Sequence, residues 1–363
     1  MGDQITDYKC PQCGGPLHFA PETQQLECDY CGSTFKIQDV IDPEHNEQVE
    51  DVQPTEHAEH WSSQEKENFS TYNCQSCGAQ LLADPHDAVR QCPYCGNNII
   101  LESKFNGEHK PNRVLPFILD ETQAKQALMD FYRKKPFLPK AFKNKNRLQE
   151  VKGVYVPFFL YDGTVHGNLM AKASNSRSYR EGDYIVTKTD HYTLYREGNI
   201  LFENVPCDGS SNMPDEYMDS VEPFDYSKLV DFNTQYMAGY IADQYDVSKE
   251  ENKDRAYSRM KNSTRKALLA TCIGFQQVIP LYEQCNVTEG DIEYVYLPVY
   301  MLTTKWQNKT FLFAINGTNG KVAGELPSDK KTVALYALGM FIGFFLLISL
   351  IRGDLQIVLG GMI

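Results

Sequence analysis

The sequence predicts a multidomain protein of the α+β class, and three observations lead to that expectation. A cysteine pattern occurs twice near the N-terminus, and a long central region holds alternating and apolar segments typical of β-strands. The third observation is a run of twenty residues without charge, from Thr332 to Ile351. At 363 residues the chain is long for one domain, so we expect two or three folded units.

Eight of the eleven cysteines form four CxxC pairs, two pairs in each copy of the pattern. The first copy contains Cys10, Cys13, Cys28 and Cys31, and the second contains Cys74, Cys77, Cys92 and Cys95. Four thiolates in such pairs satisfy the tetrahedral, soft-ligand preference of zinc. A closed four-cysteine site leaves no position for water, so we expect two structural Zn²⁺ ions. Reduced thiols in a decayed ribbon, or iron in place of zinc, are the alternatives.

The two cysteine modules are copies of one another at an offset of 64 residues, with Tyr30 matching Tyr94 and Gly32 matching Gly96. The glycine after each second cysteine is expected to turn the backbone with positive φ. We place zinc ribbons at residues 1–43 and 71–104, each too small to fold without its metal. Between them, residues 44–70 hold eight acids and one base, which predicts a flexible acidic linker.

Residues 105–328 are predicted to form a β-rich α+β domain with a helical insertion at about 233–272. A strand is expected over Val114–Leu119, followed by a helix that Asp120 caps and that runs to about Lys135. Its apolar face is expected to contain Ala124, Leu128 and Phe131.

The insertion is expected to contain two helical segments. Residues 236–245 have helical composition, and the segment from Ser248 to about Thr271 opens with a capping box completed by Glu251. A β-meander with turns at 307–309 and 316–320 is expected over residues 305–325.

Three apolar segments of this domain contain a central proline: Pro116, Pro157 and Pro298. Proline cannot donate a hydrogen bond inside a ladder, so these segments are expected at sheet edges or strand entries.

The uncharged run at 332–351 would be about 30 Å long as a helix, which is the thickness of a bilayer core. It therefore predicts a single transmembrane helix, with 352–363 as a short tail. Gly339 and Gly343 form a GxxxG spacing within it. Lys330 and Lys331 precede the run and only Arg352 follows, so the positive-inside rule places the N-terminal part in the cytoplasm, at the cell (inner) membrane. Eight thiols in CxxC pairs also favour a reducing compartment.

Composition and motifs exclude several classes of function. A net charge of −13 and a pI of about 5.1 argue against a protein that coats nucleic acid. The sequence contains no nucleotide-binding glycine loop, no GxSxG and no HExxH. We therefore expect no enzyme and no small-molecule substrate.

One stretch of the acidic chain is basic. Its cations are Arg133, Lys134, Lys135, Lys140, Lys143, Lys145 and Arg147. They are interpreted in three ways: contact with anionic lipid headgroups, contact with nucleic acid, or a solvated face beside the acidic linker.

The ordered series of motifs resembles the bacterial double zinc-ribbon membrane proteins of the transcription-factor-IIB type, a group also labelled primosomal-helicase-like from its ribbons alone. The resemblance rests on the segments CPQCGGPL, NCQSCGAQL, CPYCGNNIIL, GVYVPFFLYDG, VEPFDYSKLVDF, YIADQYDV and YLPVYMLTTKW. It implies that the eight cysteines hold the metal and that there is no established catalysis. It also implies a link to phage-shock-type and SPFH (flotillin-like) proteins, beside which some members are encoded.

These expectations combine into a membrane-anchored cytoplasmic zinc-ribbon adaptor that recruits a protein partner. The first alternative is a nucleic-acid-binding or transcription-related regulator tethered to the membrane. The second is an enzyme hidden in the β-rich domain.

Overall fold

The computed structural model describes residues 10–13, 15–37, 60–62, 66, 69–83, 91–97, 100–104, 109–139, 142, 151–307 and 309–352. Within them the chain is a mixed α+β protein dominated by one large sheet. Its strands are β1 Leu17–Ala20, β2 Gln25–Cys28, β3 Thr34–Phe35, β4 Ser70–Cys74, β5 Gln80–Ala83, β6 Ile100–Lys104, β7 Arg113–Val114, β8 Lys152–Glu181, β9 Tyr184–Asp208, β10 Val230–Asp231, β11 Ile241–Asp243, β12 Gln277–Trp306, β13 Lys309–Asn316 and β14 Val322–Gly324. Its helices are α1 Glu121–Arg133, α2 Asp215–Val221, α3 Lys249–Ala270 and α4 Lys330–Arg352. Most of the predicted acidic linker and the tail after residue 352 lie outside the described residues.

The large sheet has eleven strands and is organised around β8 and β12. These two 30-residue strands pair antiparallel from Lys152↔Met301 to Ser174↔Gln277. On its other side β8 pairs first with β11 and then with β9, while β12 pairs with β7 and β13. Residues 154–161 are buried continuously because both faces of the sheet are covered at this point. Tyr155 and Phe159 belong to one hydrophobic cluster, and Val156 and Phe158 to the other.

Pro157 and Pro298 lie in the middle of the sheet, so the expectation of edge strands is wrong for these two segments. Pro116 lies outside any strand, two residues after β7 ends. Pro157 is one residue beyond the ladder that joins β8 to β9, and its carbonyl accepts from Gly209 N–H at 2.8 Å. Pro298 is one residue beyond the ladder between β12 and β13, and its carbonyl accepts from Gly317 N–H at 2.9 Å. Each of these two prolines lacks a backbone N–H, and it lies just beyond the end of the ladder with the neighbouring strand. No hydrogen bond of that ladder is therefore lost.

Helix α1 begins at the predicted residue. The side chain of Asp120 accepts from Gln123 N–H at 2.6 Å, and the Gln123 side chain accepts from the Asp120 amide, which completes a capping box. The buried positions of α1 are Ala124, Leu128 and Tyr132, whereas Phe131 is half-buried. The strand before α1 is shorter than predicted, because only Arg113 and Val114 form a strand. Leu115 N–H still donates to the Tyr296 carbonyl of β12 at 2.9 Å.

The prediction of a helical insertion at about 233–272 is partly wrong. Helix α3 confirms the capping box of Ser248 with Glu251. Residues 236–245, predicted helical from composition, instead form the end of a 3-10 turn at Thr234–Met237 and then strand β11. Gly239 adopts φ +81, which ends the turn, and burial of Ala242 between β5 and β8 holds the following residues extended. The predicted meander is confirmed as β12, β13 and β14.

Helix α3 covers one face of the long hairpin of β8 and β9. The odd-numbered residues of β8 from 163 to 173 face this helix and are buried. A side chain at Gly167 would come within 2.7 Å of Thr264 Cγ2 and 2.9 Å of Leu268 Cδ1, so glycine is what lets the helix approach the sheet.

Candidate metal centres and the apolar helix

The structure brings the eight predicted cysteines together as two separate groups of four. In the first group Cys10 Sγ lies 3.5 Å from Cys31 Sγ, and Cys13 Sγ lies 3.5 Å from Cys28 Sγ. In the second group the corresponding distances, from Cys74 to Cys95 and from Cys77 to Cys92, are both 3.6 Å. All four sulfurs of each group lie within 4.8 Å of one another, and none of the cysteines forms a disulfide.

These sulfur positions fit a zinc ion. A tetrahedron with metal–sulfur distances near 2.3 Å has edges of about 3.8 Å, close to the observed separations. Among the described residues, the donor set of each group is four soft thiolates, which is the set that structural zinc prefers. The two four-cysteine groups are therefore compatible with two structural zinc ions. In such a site the metal supplies folding energy and no open coordination position.

The backbone of each CxxC pair repeats the same turn. Cys10, Cys28, Cys74 and Cys92 are buried, and each donates its N–H to the carbonyl five residues on. After the second cysteine, Gly32, Gly78 and Gly96 adopt φ of +69, +82 and +67, as the sequence predicts. Only glycine takes up this conformation without strain, so it closes the turn on the sulfurs.

The surroundings of the thiols perturb their pKa values in different directions. The Ser33 hydroxyl, 3.2 Å from Cys31 Sγ, and the Ser33 amide lower the pKa of the Cys31 thiol to about 6. Burial raises the pKa of the Cys77 thiol to about 11. The ligands bind zinc as thiolates, so metal binding to the second group must displace protons that would otherwise stay bound at neutral pH.

The first cysteine module forms a small sheet of its own, in the order β1, β2, β3. Leu17, Phe19 and Leu26 form its core. They pack against Ala238, which belongs to the described part of residues 109–329, called the body below. Phe19 N–H donates to the Ala238 carbonyl at 3.1 Å. This module, ribbon 1, therefore rests on the body through one side and shares no strand with it.

The second cysteine module is built into the large sheet. Strands β4, β5 and β6 pair with one another, and Leu81 and Leu82 of β5 pair with Asp243 and Ala242 of β11. The sheet thus runs across the predicted boundary at residue 104, and the division of the chain into domains at that point stays a prediction. This module is called ribbon 2 below.

A buried contact fixes ribbon 2 to the body. The Tyr94 hydroxyl, between Cys92 and Cys95, donates to Asp243 Oδ2, and the Ser210 hydroxyl donates to the same oxygen at 2.6 Å. Asp243 is fully buried, and burial raises the pKa of its carboxyl to about 7. The sequence did not predict this pair. The only available signal was the match of Tyr94 with Tyr30.

The equivalent tyrosine of ribbon 1 faces solvent. Tyr94 is 5% exposed, whereas Tyr30 is 79% exposed. A Cβ atom on Gly15 would lie 2.8 Å from Tyr30 Cδ2, so glycine allows the ring to lie on the backbone of the first CxxC pair. The same position of the repeat is thus an internal anchor in ribbon 2 and an exposed aromatic group in ribbon 1.

Helix α4 extends the body at its C-terminal end. Residues Thr332–Ser349 are long and apolar enough to cross a membrane, and none of that window is buried within the protein. The base of the helix is tied to the segment after α1. Asp329 N–H donates to the Phe137 carbonyl at 2.9 Å, and the Phe137 ring makes an edge contact with Tyr336 at 5.3 Å between centroids.

Three of the predicted basic contact residues are described, and they precede Phe137 by two to four residues along the chain. Arg133, Lys134 and Lys135 are exposed at the end of α1. Arg133 Nη1 is 3.1 Å from Asp130 Oδ1, and Lys135 Nζ lies 5.1 Å from the Phe131 ring centroid. The other predicted cations, Lys140, Lys143, Lys145 and Arg147, lie outside the described residues.

Comparison with known proteins supports the metal sites and shows the family. Residues 9–39 match the family of Trm112p-like proteins. No solved structure matches the chain. The uncharacterized protein YdjG of Bacillus subtilis (strain 168) is 31% identical over 347 residues, which cover 96% of this chain and 97% of that protein. The chain is thus a double zinc-ribbon protein, and it belongs to the same family as YdjG of Bacillus subtilis.

Proposed function

We propose that this protein is a membrane-anchored cytoplasmic adaptor, in which ribbon 1 recruits a protein partner to the membrane surface. The observation that carries the proposal is the contrast between the two equivalent tyrosines. Ribbon 2 uses Tyr94 to dock on its own body, while ribbon 1 presents Tyr30 to solvent. The internal docking of ribbon 2 is a precedent for the way in which ribbon 1 binds another protein.

The chemistry of Tyr30 suits a docking contact. A tyrosine supplies a large apolar ring and a hydroxyl donor at a low cost in side-chain entropy, and such residues dominate the energetics of many interfaces. The zinc site and the contact with Gly15 hold the ring on a rigid support. Rigid presentation lowers the entropy lost on binding.

The anchor in this proposal is α4. Its exposed side chains include Phe341, Phe344, Phe345 and Leu347, a contiguous apolar surface unfavourable in water. In a bilayer the same surface is favourable, and every backbone group of a helix is satisfied internally. Insertion of α4 with the body in the cytoplasm follows the positive-inside rule.

The position of the basic residues favours lipid contact over nucleic-acid contact. Because Phe137 touches Tyr336, the preceding cations at 133–135 lie near the level at which α4 would enter the bilayer. Each cation near an anionic membrane surface contributes about 1 kcal/mol. These residues would hold the body against the headgroups, leaving ribbon 1 to bind its partner.

The resemblance noted from the sequence indicates the class of partner, a phage-shock-type or SPFH (flotillin-like) scaffold. The test is affinity capture from gently solubilised membranes of the native host. The tagged chains are the wild type, Tyr30→Ala and the control Tyr282→Ala, whose tyrosine is 52% exposed on β12.

We expect the wild type and the control to capture such a scaffold protein. Tyr30→Ala should lose it while keeping the same zinc content. Equal capture by Tyr30→Ala, or capture of nucleic acid or polymerase in place of a scaffold, would contradict the proposal.

A further inference from the structure

The long hairpin leaves one strand with an unpaired edge. Strand β9 pairs with β8 along one side, and no strand pairs with its other side within the described part of the chain. The register between the two strands is continuous from Glu181↔Tyr184 to Gly163↔Phe202. Residues 184–202 therefore present a regular row of backbone donors and acceptors, which is the requirement for adding another strand.

On the opposite side of β8, the outer edge of β12 is protected against pairing with another strand, whereas the edge of β9 is not. The outer part of β12 contains Pro280 and two register breaks, at Pro280/Tyr282 and Glu289/Ile292. Proline and bulges are the devices by which proteins prevent edge pairing. Residues 184–202 contain no proline, and their register with β8 has no break. This difference indicates that the β9 edge is kept available for pairing.

The β9 edge also exposes apolar side chains. Ile185 is 79% exposed, Tyr195 70% and Leu201 67%. All three have odd numbers and lie on the sheet face away from α3. They are the type of residue that cross-strand pairing stabilises.

A second copy of the chain fits this edge best in one register. A two-fold axis perpendicular to the sheet relates the two copies so that each face of the sheet continues across the contact. Directly opposed residues then lie on the same face, so their numbers are either both even or both odd. When Thr193 opposes Thr193, Asp190 lies opposite Arg196 of the second copy, and Ile185 lies opposite Leu201 of the second copy. Because of the symmetry, the ion pair and the apolar pair each occur twice.

The neighbouring symmetric registers lack this match. With Tyr192 at the centre, Lys188 opposes Arg196, which places like charges opposite each other. With Leu194 at the centre, Asp190 opposes Gly198 and Arg196 opposes Tyr192, so neither of these two charges is paired. Registers centred on Asp190 or Arg196 oppose each of these charges with itself. The register centred on Thr189 opposes Asp190 with Lys188, but it pairs only residues 184–194 of the edge, whereas the register centred on Thr193 pairs residues 184–202. Opposed like charges destabilise a strand pair, so charge and paired length together favour the register centred on Thr193.

We propose that two copies of this protein associate by antiparallel pairing of their β9 strands about Thr193, so that the large sheet continues from one subunit to the other. The pairing is independent of ribbon 1 and of α4. It gives each dimer two ribbon 1 modules and two α4 helices.

The experiment uses the full chain in detergent micelles, with self-association measured by sedimentation over a range of concentrations. The wild type is expected to dimerise. Asp190→Arg and Arg196→Asp should each weaken the dimer roughly tenfold to a hundredfold, because each places like charges opposite one another at two positions. Combining the two substitutions restores the opposite charges in the reverse order and should restore dimerisation.

The matched control is Lys261→Glu, an exposed position on α3 with the same change of charge as Arg196→Asp. It should leave the dimer unchanged. A monomeric wild type would overturn the proposal. So would single variants that remain dimeric, the result expected of association through Gly339 and Gly343, and so would a combined variant that keeps its zinc but stays monomeric.

Discussion

Replacing Tyr94 by phenylalanine tests whether ribbon 2 is energetically part of the body. The substitution removes one of the two hydroxyls that donate to Asp243 Oδ2 and leaves only that of Ser210. Asp243 Oδ1 has no hydrogen-bond partner among the described residues, so a fully buried carboxyl would keep a single donor. A hydrogen bond to a charged group contributes about 1.5–3 kcal/mol, and we expect Tyr94→Phe to lower the free energy of unfolding by about 2–3 kcal/mol at pH 8.

The effect of this substitution should depend on pH. Burial raises the pKa of Asp243 to about 7, so at pH 5 the folded protein holds a neutral carboxylic acid. A bond between neutral groups contributes about 1 kcal/mol, so the loss should shrink at pH 5. The internal repeat supplies the matched control. Tyr30→Phe changes the equivalent, exposed residue and should alter the stability by less than about 0.5 kcal/mol.

The assay is denaturation of the zinc-loaded chain followed by tryptophan fluorescence. Both tryptophans, Trp61 and Trp306, pack with the core cluster of the body, so their signal reports on the body rather than on ribbon 1. The reasoning would be refuted if Tyr94→Phe matched the wild type at both pH values. It would also be refuted if Tyr30→Phe cost as much as Tyr94→Phe.

Three further outcomes follow from the same contacts. Cys74→Ser should remove one zinc and destabilise the body, because β4 belongs to the large sheet. Cys10→Ser should remove the other zinc but leave the tryptophan transition nearly unchanged, because Cys10 belongs to the separate core of ribbon 1. Zinc analysis and denaturation of each variant check these two outcomes. The folded protein holds the Asp243 proton more tightly than the unfolded chain does, so the free energy of unfolding should fall as pH rises from about 4 to about 7, by at most about 4 kcal/mol. In denaturation curves measured over a series of pH values, Asp243→Asn should reduce this dependence on pH. Leu128→Ala, on the buried face of α1, should cost about 2–5 kcal/mol in the same assay, and a loss below 1 kcal/mol would show that α1 does not pack as described.

The features that could be predicted from the sequence are those set by local spacing. The CxxC pairs predicted the two groups of four cysteines that the structure brings together, and the positive φ of Gly32 and Gly96 followed from the turn that such pairs require. The N-cap residue Asp120 and the capping box of Ser248 correctly predicted where α1 and α3 begin, because the side chains that form a cap lie within four residues.

The features that the sequence did not predict depend on contacts between distant residues. Residues 241–243 have a helical composition, but pairing with β5 and β8 holds them as a strand. Pro157 fits in a central strand only because β9 ends beside it, and this depends on a residue about fifty positions away. The bond from Tyr94 to Asp243 spans 149 residues, and no local pattern marks it.

The central claim is that α4 anchors the protein in a membrane, and fractionation of the native host tests it most directly. We expect the full chain to stay in the membrane pellet after an alkaline carbonate wash, and a chain that ends before Thr332 to move to the supernatant with its zinc retained. Recovery of the full chain, with α4 intact, in the soluble fraction would contradict the account.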